Sequence, residues 1–341
     1  MTNATMRAFM MRGYGGPEQT AIREVPVPEP KPHEIRVRVR AAGLNPVDYK
    51  FRKGVLRAIQ RPELPIPLGS EFSGVVEAVG AEVRRFAVGD RVFARVGKQD
   101  YGALAEFVCV DATFVARMPE TLDFPTAAGV PLAGLTALQC LRDELHARPG
   151  MRLLITGGAG GVGTFAIQLA KWLGAEVTTT ASPRGEALVK RLGADRVVDY
   201  THERLQDAVR DMDGAMDLIG GETLLACFEV VKPGGKVVSI AGVPEPETAR
   251  KDLQAGSFLA ALFWVISMGV RRKARAHGVE YRYKFMLPSG EELAELAHLI
   301  DSGKLDVVVD RVFPFDEVAE AFQYLEQGRA KGKVIVTFPE A

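Results

Sequence analysis

One stretch of glycines restricts the possible folds of this chain more than any other feature. An apolar strand at residues 153–156 leads into residues 158–163, which fit the pattern G-x-G-x-x-G, and apolar residues then recur at helical spacing. With 35 glycines in 341 residues the pattern alone could arise by chance. Between a strand and a helix, however, such a turn brings backbone N–H groups and a helix N-terminus towards a pyrophosphate. The sequence therefore predicts a dinucleotide site.

The residues after this turn alternate between strand and helix patterns. The apolar strands "EVTTT", "RVVDY", "MDLI" and "KVVSIAG" are separated by the helical segments "GEALVKRLGA", "ERLQDAVR" and "ETLLACFEVV". Alternation of this kind is typical of a doubly wound parallel sheet. The segment "YRYKFML" is a candidate sixth strand. The predicted fold class is α/β, with this Rossmann domain spanning residues 126–289.

The first third of the chain is β-rich instead. In "EIRVRVRA", apolar residues alternate with arginines, which predicts a strand with one buried face. Short strands follow in "FSGVVEAVG", "DRVFARV" and "LAEFVCV". We expect a small, irregular barrel over residues 1–125. The tail, with an amphipathic helix in "EELAELAHLIDSGKL" and strands in "VDRVFPF" and "GKVIVTF", is expected to complete this domain with residues 290–341.

Composition excludes several classes of partner. Lys plus Arg and Asp plus Glu are both 43, so the chain has no basic surplus for binding nucleic acid. The three cysteines are far apart, which favours neither disulfides nor a metal cluster and fits a cytoplasmic protein. The apolar run at 256–270 has fifteen residues, against the ~20 that a membrane-spanning helix needs. We expect it to be a buried or subunit-interface helix, and we expect no membrane partner.

The end of the second strand of the predicted Rossmann domain indicates which dinucleotide binds. Sites for NAD place an acid there to bond the ribose 2′-hydroxyl. Here the segment reads "TTTASPRGE", in which Glu176 comes too early and Glu186 lies past the turn. Ser182 and Arg184 would instead bind a 2′-phosphate. The sequence therefore predicts NADPH, and the alternative is that Arg184 is a solvated residue at the start of a helix.

Five segments together resemble a known family. The segments "AAGLNPVDYK", "GSEFSGVVEAVG", "VGDRVFA", "GGAGGVGTFAIQLAK" and "LGADRVVDY" are similar to the medium-chain dehydrogenase/reductase superfamily, above all its zinc-free quinone oxidoreductases and enone (alkenal/one) reductases. The resemblance implies a GroES-like catalytic domain beside the Rossmann domain, with the active site in the cleft between them. It also implies a homodimer or homotetramer.

The resemblance also implies which residues contact the cofactor. The pyrophosphate and adenosine phosphate would be met by Gly160, Gly161, Val162, Ser182, Arg184 and Tyr200. The nicotinamide end would be met by Asn45, Thr136, Ala241 and Gly242.

The zinc-dependent branch of the superfamily has metal ligands at positions where this chain does not. Asn45 stands in place of a cysteine, Ser70 in place of a histidine, and "VPLAG" offers no third ligand. Glu71 remains, but one carboxylate does not make a zinc site. We therefore expect no metal.

These features predict NADPH-dependent reduction of an α,β-unsaturated carbonyl or a quinone. In "NPVDYK", Lys50 would hydrogen-bond the acceptor carbonyl, with Tyr49 and Asn45 as alternative donors and solvent as an alternative proton source. Lys50 could equally be solvated. The other readings are a quinone reductase proper, a non-catalytic NADPH-binding protein, and an enoyl-thioester reductase with a basic entrance at residues 271–275.

Overall fold

The computed structural model describes residues 4–57, 59, 61–97 and 101–339. The strands within these residues, in chain order, are β1 (Thr5–Met11), β2 (Thr20–Pro26), β3 (Glu34–Leu44), β4 (Ile66–Pro67), β5 (Glu71–Val79), β6 (Arg91–Arg95), β7 (Phe107–Asp111), β8 (Val115–Arg117), β9 (Arg152–Ile155), β10 (Glu176–Ala181), β11 (Arg196–Asp199), β12 (Met212–Asp217), β13 (Val231–Ser239), β14 (Glu280–Tyr283), β15 (Val309–Pro314) and β16 (Lys333–Thr337).

The α-helices are α1 (Pro46–Arg52), α2 (Phe124–Ala128), α3 (Pro131–Leu138), α4 (Gly161–Trp172), α5 (Pro183–Arg191), α6 (Leu205–Ala208), α7 (Gly221–Val230), α8 (Ser257–Ile266), α9 (Met268–Ala276), α10 (Gly290–Asp301) and α11 (Val318–Glu326). Short 3₁₀ or π turns occupy Pro17–Gln19, Ala112–Phe114, Gln139–Glu144, Thr248–Asp252 and Phe315–Glu317.

The chain divides into two compact units, the first formed by Met1–Leu135, Pro288–Gly303 and Val307–Ala341, and the second by Thr136–Leu287 and Lys304–Asp306. The limits expected from the sequence, 125/126 and 289/290, remain a prediction. In the structure the first unit ends at Leu135 and the second begins at Thr136, ten residues later than expected. The boundary lies later because α2 packs against β3 and β5 of the first unit.

The first unit is built around a sheet in the order β15-β16-β3-β5-β6-β8, with β7 also pairing with β3. Ile35, Val37 and Val39 of β3 are fully buried while the arginines between them are partly exposed, which confirms the predicted alternation. The tail returns as predicted, since β16 pairs antiparallel with β3 through Val334–Leu44 and Thr337–Ala41.

The second unit is a parallel sheet in the order β11-β10-β9-β12-β13-β14, so the predicted Rossmann domain and its sixth strand are confirmed. The chain enters at β9 in the middle, runs outward through β10 and β11, and then crosses to β12 on the other side. Ligands of such sheets bind where the direction of winding reverses, at the carboxyl ends of the strands. The glycine turn follows β9, directly at this point.

The apolar run at 256–270 forms α8 and the start of α9, and it is not buried. Within α8 only Ala260 and Phe263 are enclosed, while Phe258 is 85% exposed. Of the two alternatives expected from the sequence, a helix buried within its own chain is therefore wrong, whereas a helix at a subunit interface stays a prediction. The periodicity of an apolar segment does not reveal whether its face meets the core or the solvent.

Candidate active site and cofactor site

The glycine turn is fixed to the neighbouring strand by two hydrogen bonds. Gly157 N–H donates to Thr180 Oγ1 at 2.8 Å, and Gly158 N–H donates to the Thr180 carbonyl at 3.0 Å. Thr180 lies near the end of β10, so the turn keeps its position relative to the sheet. The helix α4 then begins at Gly161 with Gly160 as an N-cap that provides no side-chain cap. Its first N–H groups are therefore available to an anion.

The individual glycines of this turn have different reasons to be glycine. A Cβ atom on Gly163 would lie 2.4 Å from the Gly157 carbonyl oxygen, so the helix packs directly on the turn. A Cβ on Gly160 would meet only the Gly157 oxygen, at 3.4 Å, so the space beside it is open. A tight turn with one open backbone position is the cradle that a pyrophosphate requires. The residues present fit a dinucleotide.

The predicted 2′-phosphate residues lie at one edge of the sheet. Ala181 of β10 pairs with Asp199 of β11 in parallel register, so Ser182 and Tyr200 follow neighbouring, aligned positions. Ser182 is the N-cap of α5, and Arg184 in its first turn is exposed. The structure brings these three predicted residues to the same edge.

Two carboxylates near this edge are already engaged. Asp199 accepts hydrogen bonds from the Thr201 hydroxyl at 2.6 Å, from His202 Nδ1 and from the Thr201 N–H at 3.0 Å. The bond from the Thr201 hydroxyl, followed by that from His202, lowers the pKa of the Asp199 carboxyl. Glu186 pairs with Lys190 at 2.6 Å. The Glu186 carboxylate is thus paired within its own helix, α5, which agrees with the sequence-based view that Glu186 is a poor candidate for binding the ribose.

The loop expected at the nicotinamide end is held by a buried acid that the sequence reasoning missed. Asp217 ends β12 and accepts the Ser239 hydroxyl at 2.6 Å. Ser239 Oγ in turn accepts the N–H groups of Ala241 at 3.1 Å and Gly242 at 2.8 Å. In the sequence, the signal that could have identified Asp217 is its position as an acidic residue at the end of an apolar strand. Asp217 positions the two backbone residues that were predicted to line the site.

A second network lies in the first unit, where β3 ends at Leu44 and α1 begins. Asn45 is the N-cap, Pro46 occupies N1, and Asp48 at N3 accepts the Asn45 N–H at 2.8 Å. This is the sequence pattern that starts a helix efficiently. The segment "NPVDYK" thus forms a short helix whose first cap is Asn45.

Asn45 does not present a free amide. Its Nδ2 donates to Glu71 Oε1 at 2.7 Å, and its Oδ1 accepts from the Lys333 ammonium. Lys333 also donates to Glu71 Oε1 at 2.7 Å and to the Leu44 carbonyl at 3.2 Å. The sequence reasoning missed Lys333, for which the available signal was a lysine that begins the apolar strand "KVIVT".

Glu71 is the centre of this network. Its Oε2 accepts the N–H of Leu132 at 2.6 Å, and Leu132 belongs to α3, which carries the buried Thr136 one turn later. Gly43 makes room for the carboxylate, because a Cβ there would lie 2.4 Å from Glu71 Oε1. The residue at position 43 must therefore be glycine if Glu71 is to stay paired.

Ser70 and Asp48 form the other side of the network. The Ser70 hydroxyl donates to Asp48 Oδ1 at 2.8 Å. Burial raises the pKa of Asp48 to about 6, although the hydrogen bonds from Ser70 and Asn45 act in the opposite direction. Asp48 was not singled out from the sequence.

Lys50 and Tyr49 lie on α1, one turn beyond Asn45. Lys50 is half-buried, and burial raises the pKa of Tyr49, so its phenol keeps its proton at neutral pH. The helix is anchored at its end, where Lys53 pairs with Glu326 at 2.6 Å and the buried Arg52 pairs with the same carboxylate. Two hydrogen-bond donors are thus carried on a helix whose position is fixed.

The donor set at the expected zinc positions is unsuited to that metal. Asn45 contributes an amide, Ser70 a hydroxyl, and the Glu71 carboxylate is already neutralised by Lys333. Zinc sites in proteins use thiolate, imidazole and carboxylate ligands, and of these the three positions offer only the one carboxylate. Among the described residues, no group of three or more His, Cys, Asp or Glu side chains is arranged to hold a metal ion.

Two family models match the chain. Residues 31–120 match an alcohol dehydrogenase GroES-like domain, and residues 192–336 match a zinc-binding dehydrogenase domain. The first range lies within the predicted catalytic domain. The second covers the later part of the predicted Rossmann domain and continues into the tail that the sequence assigned to the catalytic domain.

Known proteins resemble the whole chain. The NAD(P)H oxidoreductase RTN4IP1, mitochondrial, of Danio rerio is 39% identical over 88% of this chain and 82% of its own length. The NADPH-dependent alkenal/one oxidoreductase, chloroplastic, of Arabidopsis thaliana is 37% identical over 97% of this chain and 79% of its own length. The solved structure of the quinone oxidoreductase from Coxiella burnetii superposes with a TM-score of 0.85 at 32% identity, covering 98% of this chain and 99% of that one. The chain therefore belongs to the medium-chain dehydrogenase/reductase superfamily, in its quinone oxidoreductase and enone reductase branch.

Proposed function

We propose that this chain is a zinc-independent, NADPH-dependent oxidoreductase that reduces the conjugated C=C bond of an enone or alkenal, or a quinone. The observation that carries the proposal is the aligned edge at the ends of β10 and β11. Ser182, Arg184 and Tyr200 follow these two aligned strand ends, and no acid occupies the end of β10. Ribose 2′-phosphate is the group that such an edge binds.

Bound NADPH supplies a hydride to the electrophilic carbon of the acceptor. The open backbone at Gly160, Gly161 and Val162 would hold the pyrophosphate. The loop at Ala241 and Gly242, fixed by Ser239 and Asp217, would line the nicotinamide end together with Thr136. The open backbone of the turn supports the pyrophosphate role, and the family resemblance supports the nicotinamide role.

The donors on α1 act on the substrate. As the carbon is reduced, negative charge develops on the conjugated oxygen and is stabilised by a hydrogen-bond donor. The Lys50 ammonium would donate that bond, and the Tyr49 phenol, which keeps its proton, is the alternative donor. Asn45 has both its polar atoms bonded to Glu71 and Lys333, so we assign it a positioning role beside the nicotinamide. Conjugation already activates the acceptor, and no Lewis acid is needed.

The experiment is a steady-state screen of NADPH oxidation with alkenals, cyclic enones and benzoquinones. We expect turnover with at least one class, and none with saturated ketones or alcohols. Tight NADPH binding in calorimetry without any turnover would favour a non-catalytic NADPH-binding protein. Turnover of quinones alone would favour a quinone reductase proper, the activity named for the Coxiella burnetii relative.

We also propose that the chain forms a homodimer, or a homotetramer built from it, through β14. This strand ends the six-stranded sheet within the described residues, and its outer edge can pair with a second copy. Light scattering of the purified protein tests this assignment.

The three cysteines are free thiols, as we expect for the cytoplasmic location that we propose.

A further inference from the structure

The helix α8 presents an apolar stripe to solvent. Phe258, Leu262 and Val265 have the i, i+4, i+7 spacing of one helix face, and they are 85%, 40% and 56% exposed. The opposite face, with Ala260 and Phe263, packs against the protein. In helices of globular domains the apolar stripe normally faces the core. A contiguous exposed stripe of this kind indicates an interaction surface.

The next helix, α9, is strongly basic. Residues 256–277 contain Arg271, Arg272, Lys273 and Arg275 and no Asp or Glu, whereas the whole chain has a formal net charge of zero. Arg272, Lys273 and Arg275 are exposed and form no ion pair with any described residue. Four cations without a local counter-ion make this segment the complement of an anionic surface.

The apolar and basic parts are joined by Arg271. Its guanidinium lies 5.6 Å from the centre of the Trp264 ring and donates to the Trp264 carbonyl at 2.9 Å and to Ser267 Oγ at 3.0 Å. Trp264, half exposed, is therefore held at the boundary between the apolar stripe and the cations. A groove of about 460 Å³ runs beside it and is lined by Arg250, Ser257, Ala260 and Trp264, which adds a fifth cation at the rim.

An apolar stripe beside cations could be covered by a second copy, by another protein or by a lipid surface. In a symmetric dimer the same patch meets itself, so this cationic segment would face its own positive charge without an acid of its own to neutralise it. Within the described residues no helix is long and apolar enough to cross a bilayer. Apolar and aromatic side chains beside Arg and Lys are the features of helices that lie in the plane of an anionic membrane surface.

We propose that α8 and α9 dock this protein on an anionic lipid surface. Phe258, Leu262 and Val265 insert at the boundary of headgroups and acyl chains, and Trp264 lies at headgroup level. Arg272, Lys273 and Arg275 bind the lipid phosphates. This inference does not depend on the proposed reaction. It differs from the sequence-based prediction of no membrane partner, which took the segment for a buried or subunit-interface helix.

Flotation with vesicles of phosphatidylcholine and phosphatidylglycerol, compared with phosphatidylcholine alone, tests the inference. We expect the full chain to float with the anionic vesicles only, and less so as salt is raised. The triple variant R272Q/K273Q/R275Q should bind roughly 100-fold more weakly, at about fivefold per cation. The matched control R148Q/R204Q/R210Q removes three exposed cations of the same unit outside this surface, and it should float like the wild type.

Tryptophan fluorescence supplies a second readout that does not depend on the charge variants. The chain has two tryptophans, Trp172 and Trp264, so Trp172→Phe leaves Trp264 as the reporter. We expect its emission to shift to shorter wavelength with anionic vesicles and to be quenched by brominated lipid. No flotation and no shift at low salt would overturn the proposal. So would a Trp264 already shielded from acrylamide in a dimer without vesicles, which would assign the surface to a second copy.

Discussion

Lys333 Nζ lies 2.7 Å from Glu71 Oε1, and the two side chains are only 3% and 0% exposed. The carboxylate also receives Asn45 Nδ2 and the Leu132 N–H, so its oxygens are fully bonded. A charge buried at this depth is tolerated because it is paired and hydrogen-bonded. The pair therefore holds together the end of β3, the start of β5, the start of β16 and the start of α3.

Removal of one partner should be costly. Lys333→Met leaves Glu71 as an uncompensated buried carboxylate, and we expect the free energy of unfolding to fall by about 3–5 kcal/mol. Urea denaturation measures this change. The double variant Lys333→Met, Glu71→Gln should recover a large part of the loss, whereas Lys304→Met, at an exposed lysine, should change the stability by less than about 0.5 kcal/mol. A wild-type midpoint for Lys333→Met would contradict the pairing.

The preference for NADPH should depend on two side chains at the ends of β10 and α5. We expect Ser182→Ala and Arg184→Ala each to weaken NADPH binding by about 1.5–3 kcal/mol, since each removes a hydrogen bond to a charged group. NADH binding should hardly change. Arg196→Ala, at the opposite end of β11, is the control. Equal affinities of the wild type for NADPH and NADH in calorimetry would rule out the assignment of this edge.

Activity should not require metal. The amide of Asn45 and the hydroxyl of Ser70 are already used within the protein, and both are poor zinc ligands. After exhaustive dialysis against a chelator we expect unchanged turnover of a good acceptor, and elemental analysis should find no stoichiometric zinc. One tightly bound zinc per chain, lost together with activity, would show that the donor set was misjudged.

Lys50 should affect the chemical step more than binding. If its ammonium stabilises the developing oxyanion, Lys50→Ala should lower kcat roughly 10²–10³-fold. Lys50→Met, which keeps the length of the side chain but removes its charge, should lower kcat by a similar factor. NADPH affinity should stay near the wild-type value. Lys53→Met removes a neighbouring cation that is paired with Glu326 and should retain kcat. Wild-type kcat in both Lys50 variants would transfer the role to Tyr49.

Asp48 should give the protein a specific dependence of stability on pH. Burial raises its pKa to about 6 from an ordinary value of 3.8, so the folded state binds the proton more tightly than the unfolded state. The stabilisation from this group is complete below about pH 3.8 and is lost as pH rises through 6. Asp48→Asn should therefore gain stability relative to the wild type between pH 4 and 7, on the order of 2 kcal/mol. Parallel denaturation curves at several pH values measure this difference, which a pH-independent offset would contradict.

The sequence predicted what is encoded locally. The alternation of Ile35, Val37 and Val39 with arginines fixed which face of β3 is buried, and the glycine turn between a strand and a helix predicted the cofactor half-site. Both features repeat within a few residues, and local backbone geometry follows from such periods. Ser182, Arg184 and Tyr200, which follow the ends of β10 and β11, could be predicted in the same way, from the order of strands and helices along the chain.

The polar network in the first unit was not predictable in this way. Asn45 and Lys333 are 288 residues apart, and Lys333 and Glu71 are 262 apart, so only the strand pairing brings them together. The resemblance to zinc-dependent relatives identified Asn45, Ser70 and Glu71 as residues of the site. Nothing in the sequence indicated that Lys333, at the start of β16, lies beside them. The sequence left open, for a related reason, whether the segment 256–270 is buried or lies at a subunit interface, because only tertiary structure decides which face of an apolar helix is covered.

The strand β16 also sets the order in which this protein can be completed during synthesis. Lys333 is translated 262 residues after its partner Glu71. At about 5–20 residues per second, ribosomes need at least some ten seconds for that interval. Until then the first strands hold a carboxylate with no cation to neutralise it, while Thr136–Leu287 can already fold. The Rossmann unit is thus expected to reach its native state first. The amino-terminal strands can complete their sheet and neutralise Glu71 only after β16 has been synthesised.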